Sequence, residues 1–304
     1  MRVVSLLASG TELVCALGAG DRLVGRSHEC DTPEWVKRLP ACSAPTFDIT
    51  GSSREIDALV RDRLRDGEPL YRVDEALLVE LAPDVLITQS HCEVCAVSPG
   101  DVARADPARL SRKQVVDMGA GTLEGILEGF LQVSRVLDAA QAGETLVSGL
   151  RSTMAAIADR TRRLHPVSIA CLEWIEPVFN MGNWGPELVA RAGGQSLLGK
   201  TGEHSSATSW ERVIEADPEV LLVAPCGFGI ERTLREMHLL AGQPGWRDLR
   251  AVRSGRVAVA DGNRYFNRSG PSVVESIQIL AEILHPEEFP PLKQGACWQY
   301  YAAS

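Results

Sequence analysis

LLVELAPDVLITQ, Leu77–Gln89, places a helical run, a proline, an acid and an apolar strand in immediate succession. Pro83 stops the helix, because proline can neither donate to the helical ladder nor fit its interior. VLIT then has the length and bulk of a strand covered on both faces. RVIEADPEVLLVAP, Arg212–Pro225, repeats the arrangement around Pro218. TELVCALGAGDRLVG, Thr11–Gly25, is echoed in the same way by PELVARAGGQSLLG, Pro186–Gly199. The repetition predicts an α/β fold of two related lobes with parallel-rich sheets flanked by helices.

The alternation continues along the chain. Strands are expected at Arg2–Leu7, Leu23–Ser27, Val85–Thr88, Gln114–Met118, Val167–Leu172, Val220–Ala224 and Val257–Ala260. Helices are expected at Thr11–Leu17, Ser53–Arg65, Asp74–Leu81, Thr122–Leu137, Pro186–Ala192, Ser209–Ala216, Glu231–Leu239 and Ser272–Leu284. Between the halves, Ala142–Leu164 shows apolar residues at helical spacing through Leu146, Leu150, Met154 and Ile157. Arg160, Arg162 and Arg163 crowd its C-terminal end, where cations suit the helix dipole. The division predicted is an N-terminal lobe over 1–139, one long rigid connecting helix over 140–164 and a C-terminal lobe over 165–304.

In parallel α/β sheets, ligands bind beyond the carboxyl ends of the strands. The unusual residues fall there. SHECD follows the second strand with His28, Glu29, Cys30 and Asp31; QSHCEVCAVSPG follows VLIT with His91, Cys92, Glu93 and Cys95. EWIEPVFNMGNW, TGEHSSATSW, PCGFG and DGNRYFNRSG supply Trp174, Trp184, Trp210, Cys226, Arg264, Tyr265, Asn267 and Arg268. A cleft between the lobes is therefore expected, with thiols and imidazoles on one wall and aromatics on the other.

Cys92-x-x-Cys95 can hold a soft metal through two thiolates, with His28 or Cys30 from the neighbouring loop and Cys171 within the second half. Tetrahedral zinc and an iron–sulfur cluster both fit such a set. A metallated macrocycle could instead take His28 or His91 as an axial ligand. A third reading is a dithiol cycling through a disulfide, and the bland one is thiols that pack. Other motifs carry less. GAGTLEG, Gly119–Gly125, misses the dinucleotide fingerprint. Ser205-Ser206 lacks a nucleophile-elbow context. His165, His238 and His285 read as structural or solvated.

Composition narrows the partners. The chain has 304 residues, 45% apolar, with a net charge of -9, which disfavours nucleic acid and anionic membrane surfaces. No apolar run is long enough for a transmembrane segment. Eight cysteines in this length are too few for a disulfide scaffold. MRVVSLLASGTELVCALG has neither the length nor the cleavage site of a signal peptide and reads as a first core strand. The expectation is a cytoplasmic protein, or a periplasmic or cell-surface one if the start lies upstream.

Several segments together resemble a known family. RVVSLLASGTELVCALGAGDRLVGRSHECDTP, Arg2–Pro33, is similar to the opening of the substrate-binding proteins of iron-siderophore, haem and cobalamin ABC importers. CLEWIEPVFNMGNWGPELVARAGG, Cys171–Gly194, and ADGNRYFNRSGPSVVESIQILAEILHPE, Ala260–Glu287, resemble the second lobe of its cobalamin-binding subgroup. The resemblance implies two lobes bridged by a rigid helix, small hinge motion, a ligand in the interlobe cleft and, for exported members, an ABC permease partner.

The favoured function is a monomeric, non-catalytic receptor for a corrinoid (cobalamin-like) or related metal chelate. Trp174, Trp184 and Trp210 would wall the flat ligand. His28 or His91 would approach its metal, Glu29 would contact the ligand, and Arg264, Tyr265, Asn267 and Arg268 would bind its periphery. The alternative is a cytosolic metalloprotein or enzyme with zinc or an iron–sulfur cluster held by His28, Cys30, Cys92, Cys95 and Cys171.

Overall fold

The computed structural model describes residues 1–92, 94, 96–105 and 114–302, without the side chains of 103–105. The chain begins β1 (Val3–Ser5), α1 (Ala8–Ala16), β2 (Leu23–Arg26), β3 (Ser43–Pro45), α2 (Ser53–Asp66), β4 (Tyr71–Val73) and α3 (Glu75–Leu81). It continues β5 (Val85–Thr88), α4 (Pro99–Ala105), β6 (Gln114–Asp117), α5 (Leu123–Val136) and α6 (Ala140–Thr161). The second half runs β7 (Val167–Trp174), β8 (Phe179–Asn180), α7 (Gly185–Arg191), β9 (Gly194–Ser196), β10 (Ser206–Ala207), α8 (Trp210–Ala216) and β11 (Val220–Val223). It ends α9 (Ile230–Ala241), α10 (Arg250–Arg253), β12 (Val257–Ala260), α11 (Val273–Leu284) and β13 (Trp298–Tyr300).

The first sheet has the order β2-β1-β5-β6 and is parallel throughout. The second has the order β10-β8-β7-β11-β12-β13, with β9 also on β7. Its centre, β7, β11 and β12, is parallel, and antiparallel partners close both ends. VLIT and VLLV are buried at every position, as strands with helices on both faces must be.

Every strand expected from the sequence is present, Val85–Thr88 and Val257–Ala260 with the expected bounds and the others trimmed or extended by a few residues. The antiparallel β3–β4 pair and strands β8, β9, β10 and β13 had no signal, since segments this short show no period. Helix α1 starts at Ala8 rather than Thr11, and Leu7 at its N-cap makes no side-chain cap. Ser9 and Thr11 are therefore buried inside the helix instead of capping it. Their hydroxyls reach Ser269 and Cys30.

Helix α6 packs on α5 from the first half and on α7 and α11 from the second. Its buried face, Val147, Met154 and Ile157, belongs to a hydrophobic cluster running from Val3 through Phe130 to Ile277 and Trp298. One apolar core thus spans the joint between the halves. Gly143, in the first turns of α6, lies against Ser134 of α5; a Cβ there would stand 2.4 Å from the Ser134 Cβ. Gly143→Ala should cost about 1–3 kcal/mol through overpacking of this helix pair. An unchanged urea midpoint would contradict so close an approach.

Candidate functional site

The carboxyl ends of the two sheets face each other. Between them lies a cleft lined by Leu7, Ala8, Ser9, Glu29, Gln89 and His91 on the N-terminal side. Cys226, Gly227, Gly262, Asn263, Asn267, Arg268 and Ser269 line the other side. Its volume is about 50 Å³, room for a few waters and well below the roughly 300–1,000 Å³ of a typical small-molecule pocket. The lobes are closed on each other, so a larger ligand must part them.

The centre of the contact is Arg268. Its guanidinium donates to Glu12 at 2.6 Å and to both oxygens of Asp31 at 2.8 and 3.1 Å, crossing from the second lobe to the first. Asn263 adds a hydrogen bond to Asp31 at 3.0 Å. Arg268 and Glu12 are both buried. Burial pushes the Glu12 carboxyl up despite Arg268, whereas at Asp31 burial is the largest single influence but the hydrogen bonds and charge of Arg268, with bonds from Asn263 and Thr32, together hold the carboxyl down. Asn267 is fixed by donating to Ala224 O and Gly262 O.

The loop after β5 is tied by Gln89, which accepts from the Cys92 amide at 2.9 Å and donates to Ala96 O at 3.3 Å. This loop presents His91, whose ring meets Trp184 edge-on at 5.6 Å. The Nδ1 atom of His91 is buried without a hydrogen-bond partner. Burial, reinforced by His204, lowers its pKa to about 4, so the imidazole is neutral at pH 7. His28 behaves alike: burial beside Arg26 lowers it to about 4 while Nδ1 meets the Ser43 hydroxyl at 3.0 Å.

Two carboxyls are shifted the other way. Burial raises Glu29 to about 7 against the pull of Arg268. Its side chain keeps 37% of its surface, but it borders the cleft and is enclosed by protein on the remaining sides. Glu173, at the end of β7, is raised by burial to about 7 despite a hydrogen bond from Ser205. Cys226 lies within electrostatic reach of both, and its thiol is pushed far up, first by burial.

His28, Glu29, His91, Trp184, Asn267 and Arg268 thus gather at or beside the cleft. Trp174 stands on the interlobe seam, donating to Ser53 O at 3.1 Å and packing on Phe228 at 5.0 Å. Trp210 does not reach the cleft. It stacks on Trp246 at 6.0 Å in a separate core and donates to Pro244 O. Tyr265 is buried, its hydroxyl 3.3 Å from Cys297 Sγ. Arg264 is exposed and borders a different cavity of about 340 Å³ with Glu12 and Glu275. Glu12, Gln89 and Ser269 were missed; each looks like ordinary helix or loop chemistry in sequence.

The expected metal set is not assembled among the described residues, where no group of three or more His, Cys, Asp or Glu side chains is placed to hold an ion. Cys92 is disulfide-bonded, so its sulfur is not a thiolate. Cys30 and Cys171 are packed in the main core, and burial raises their pKa to about 11 and about 12. Cys95 lies outside the described residues.

Residues 3–263 match the family model described as periplasmic binding protein. The chain is 23% identical over 231 residues to a vitamin B12-binding protein of Vibrio campbellii, covering 73% of this chain and 70% of the relative. It is 20% identical over 294 residues to an uncharacterized ABC transporter substrate-binding lipoprotein of Bacillus subtilis, covering 95% and 81%. Among solved structures, a periplasmic haem-binding protein from Pseudomonas aeruginosa superposes with a TM-score of 0.74 at 21% identity, covering 99% and 98%. The periplasmic vitamin B12-binding protein of Vibrio cholerae gives 0.66 at 18% identity, covering 93% and 96%.

Two outcomes follow from the site's charges. Arg268→Met strands Glu12 and Asp31 without their cation and should cost about 3–5 kcal/mol; denaturant unfolding showing less than 1 kcal/mol would place the pair in water. The titrations oppose one another. Glu29 and Glu173 hold protons in the folded protein up to about pH 7 that the unfolded chain loses near 4.5, so they make stability fall as pH rises through that window. His28 and His91 stay neutral when folded down to about pH 4 but bind protons below 6.5 when unfolded, so they make it rise. Glu29→Gln with Glu173→Gln should therefore turn a nearly level profile into one that climbs from pH 4.5 to 6.5. A double variant as level as the parent would disprove the burial of these groups.

Proposed function

The chain belongs to the periplasmic binding protein family, and we propose that it captures a corrinoid-type metal chelate in the interlobe cleft for delivery to an ABC permease. The relatives are named as vitamin B12-binding proteins, haem-binding proteins and ABC transporter substrate-binding proteins. Names that place them in the periplasm, or describe a lipoprotein, support work outside the cytoplasm and lend the cytoplasmic expectation nothing. No described helix is long and apolar enough to cross a membrane.

The observation that carries the choice of ligand is charge. Among the described residues lining the cleft, Arg268 is the sole cation, and Glu12 and Asp31 already engage it. Glu29 adds an acid group to the same lining, within the field of Arg268. A haem brings two propionate carboxylates, which need unpaired cations. A corrinoid brings carboxamides, which pair with neutral donors and acceptors such as Asn263, Asn267, Gln89 and a protonated Glu29. The neutral imidazole of His91, backed by Trp184, offers a lone pair to the chelate's metal or to an amide N–H. The flat apolar faces of Trp174 and Trp184 suit the macrocycle. The cleft performs no bond-making in this reading; it selects and holds.

Calorimetric titration with cyanocobalamin and, separately, with hemin tests the assignment. Cyanocobalamin should bind at micromolar Kd or tighter and at least tenfold better than hemin, and His91→Ala should weaken it by about tenfold, or 1.4 kcal/mol. Tight hemin binding with no heat from the corrinoid would overturn it.

A further inference from the structure

The cleft is shut at both edges by one repeated device. Helix α2 comes after the segment that bridges to β2, Ala41 with Arg26, at one edge of the first sheet, and α5 follows β6 at the other edge. Each has its own N-cap: Ser52 accepts from the Glu55 amide, and Thr122 accepts from the Gly125 amide. An N-cap side chain serves the second or third amide of a helix and leaves the first without a partner. In both helices that first amide is taken by a glutamate of the other lobe. Ser53 N donates to the two carboxylate oxygens of Glu236 at 3.2 and 3.0 Å, and Leu123 N donates to Glu187 at 2.7 Å.

We propose that Glu236 and Glu187 are paired electrostatic catches that hold the lobes closed, and that ligand entry proceeds by their release. Each sets a carboxylate on the positive end of a fourteen-residue helix, where charge and hydrogen bond reinforce each other. Neighbouring contacts follow the same seam. On the α2 side Arg232 donates to Ile49 O and Gly51 O at 2.8 and 2.9 Å, and Trp174 donates to Ser53 O. On the α5 side Gly121 approaches Gly202 closely enough that an added Cβ would sit 3.5 Å away. The catches differ in kind from the central cluster. Releasing a catch gives a carboxylate and an amide back to water, whereas parting Arg268 from Glu12 and Asp31 separates buried opposite charges. The edges therefore yield first and the Arg268 cluster parts last. This inference holds whichever chelate is bound.

Hydrogen exchange on the full chain without ligand tests it. Glu236→Ala should raise exchange at the start of α2, residues 53–56, about tenfold and leave the start of α5 unchanged. Glu187→Ala should do the reverse at 123–126. The double variant should also show a larger radius of gyration in solution scattering. Glu236→Gln and Glu187→Gln keep an acceptor without the charge, so they should give intermediate rates and cover the case in which an alanine variant fails to fold. Unchanged exchange at both helix starts in a folded double variant would overturn the proposal. So would an equal rise in β1 and β11 in the glutamine variants, because that is general loosening and not release of an edge.

Discussion

The buried guanidinium of Arg268 constrains the rest of the molecule. A cation this far from water is tolerable only with its counter-charges in place, and both of them come from the other lobe. Neither lobe can satisfy these groups alone, so the halves are bound to one closed arrangement by electrostatics as well as by the core shared through α6. The same pairing removes the site's main positive charge from the reach of a ligand. The mutual orientation of the halves thus rests in part on a single set of three side chains.

How much of this was readable before folding depends on the range of the interaction. Parallel strands announce themselves locally, because a strand covered on two faces must be apolar at every position, as VLIT and VLLV are. Two-residue edge strands leave no such trace. At the site, position beyond a strand end was enough to find His28, Glu29, His91, Asn267 and Arg268. It was not enough to separate Arg264 from Arg268, four residues apart, one exposed and one buried. Trp210 and Tyr265 failed for the same reason, since an indole or phenol has one sequence signature in a core and in a pocket. The partner of Arg268 lies 256 residues away. No periodicity reports a contact of that range, and the first-turn amides that meet Glu187 and Glu236 are equally silent.

Several titratable groups at the cleft depart from their ordinary charge at neutral pH: His28 and His91 are neutral, and Glu29 and Glu173 are only partly ionised. Imidazoles pushed down and carboxyls pushed up share one first cause, desolvation by burial. Around the Arg268 ion pairs, the cleft therefore presents neutral imidazoles and carboxyls that are only partly ionised.

The cysteines follow from the same burial. Cys30, Cys42 and Cys171 are enclosed, and their thiols are held protonated well above neutral pH. Only a thiolate attacks a disulfide or an oxidant at a useful rate. Once the chain is folded, such sulfurs exchange slowly and do not require a glutathione pool to stay reduced. The folded chain can tolerate an oxidising or a reducing milieu without changing its covalent state at these positions, and a cysteine content that looks suited to one compartment imposes no such restriction.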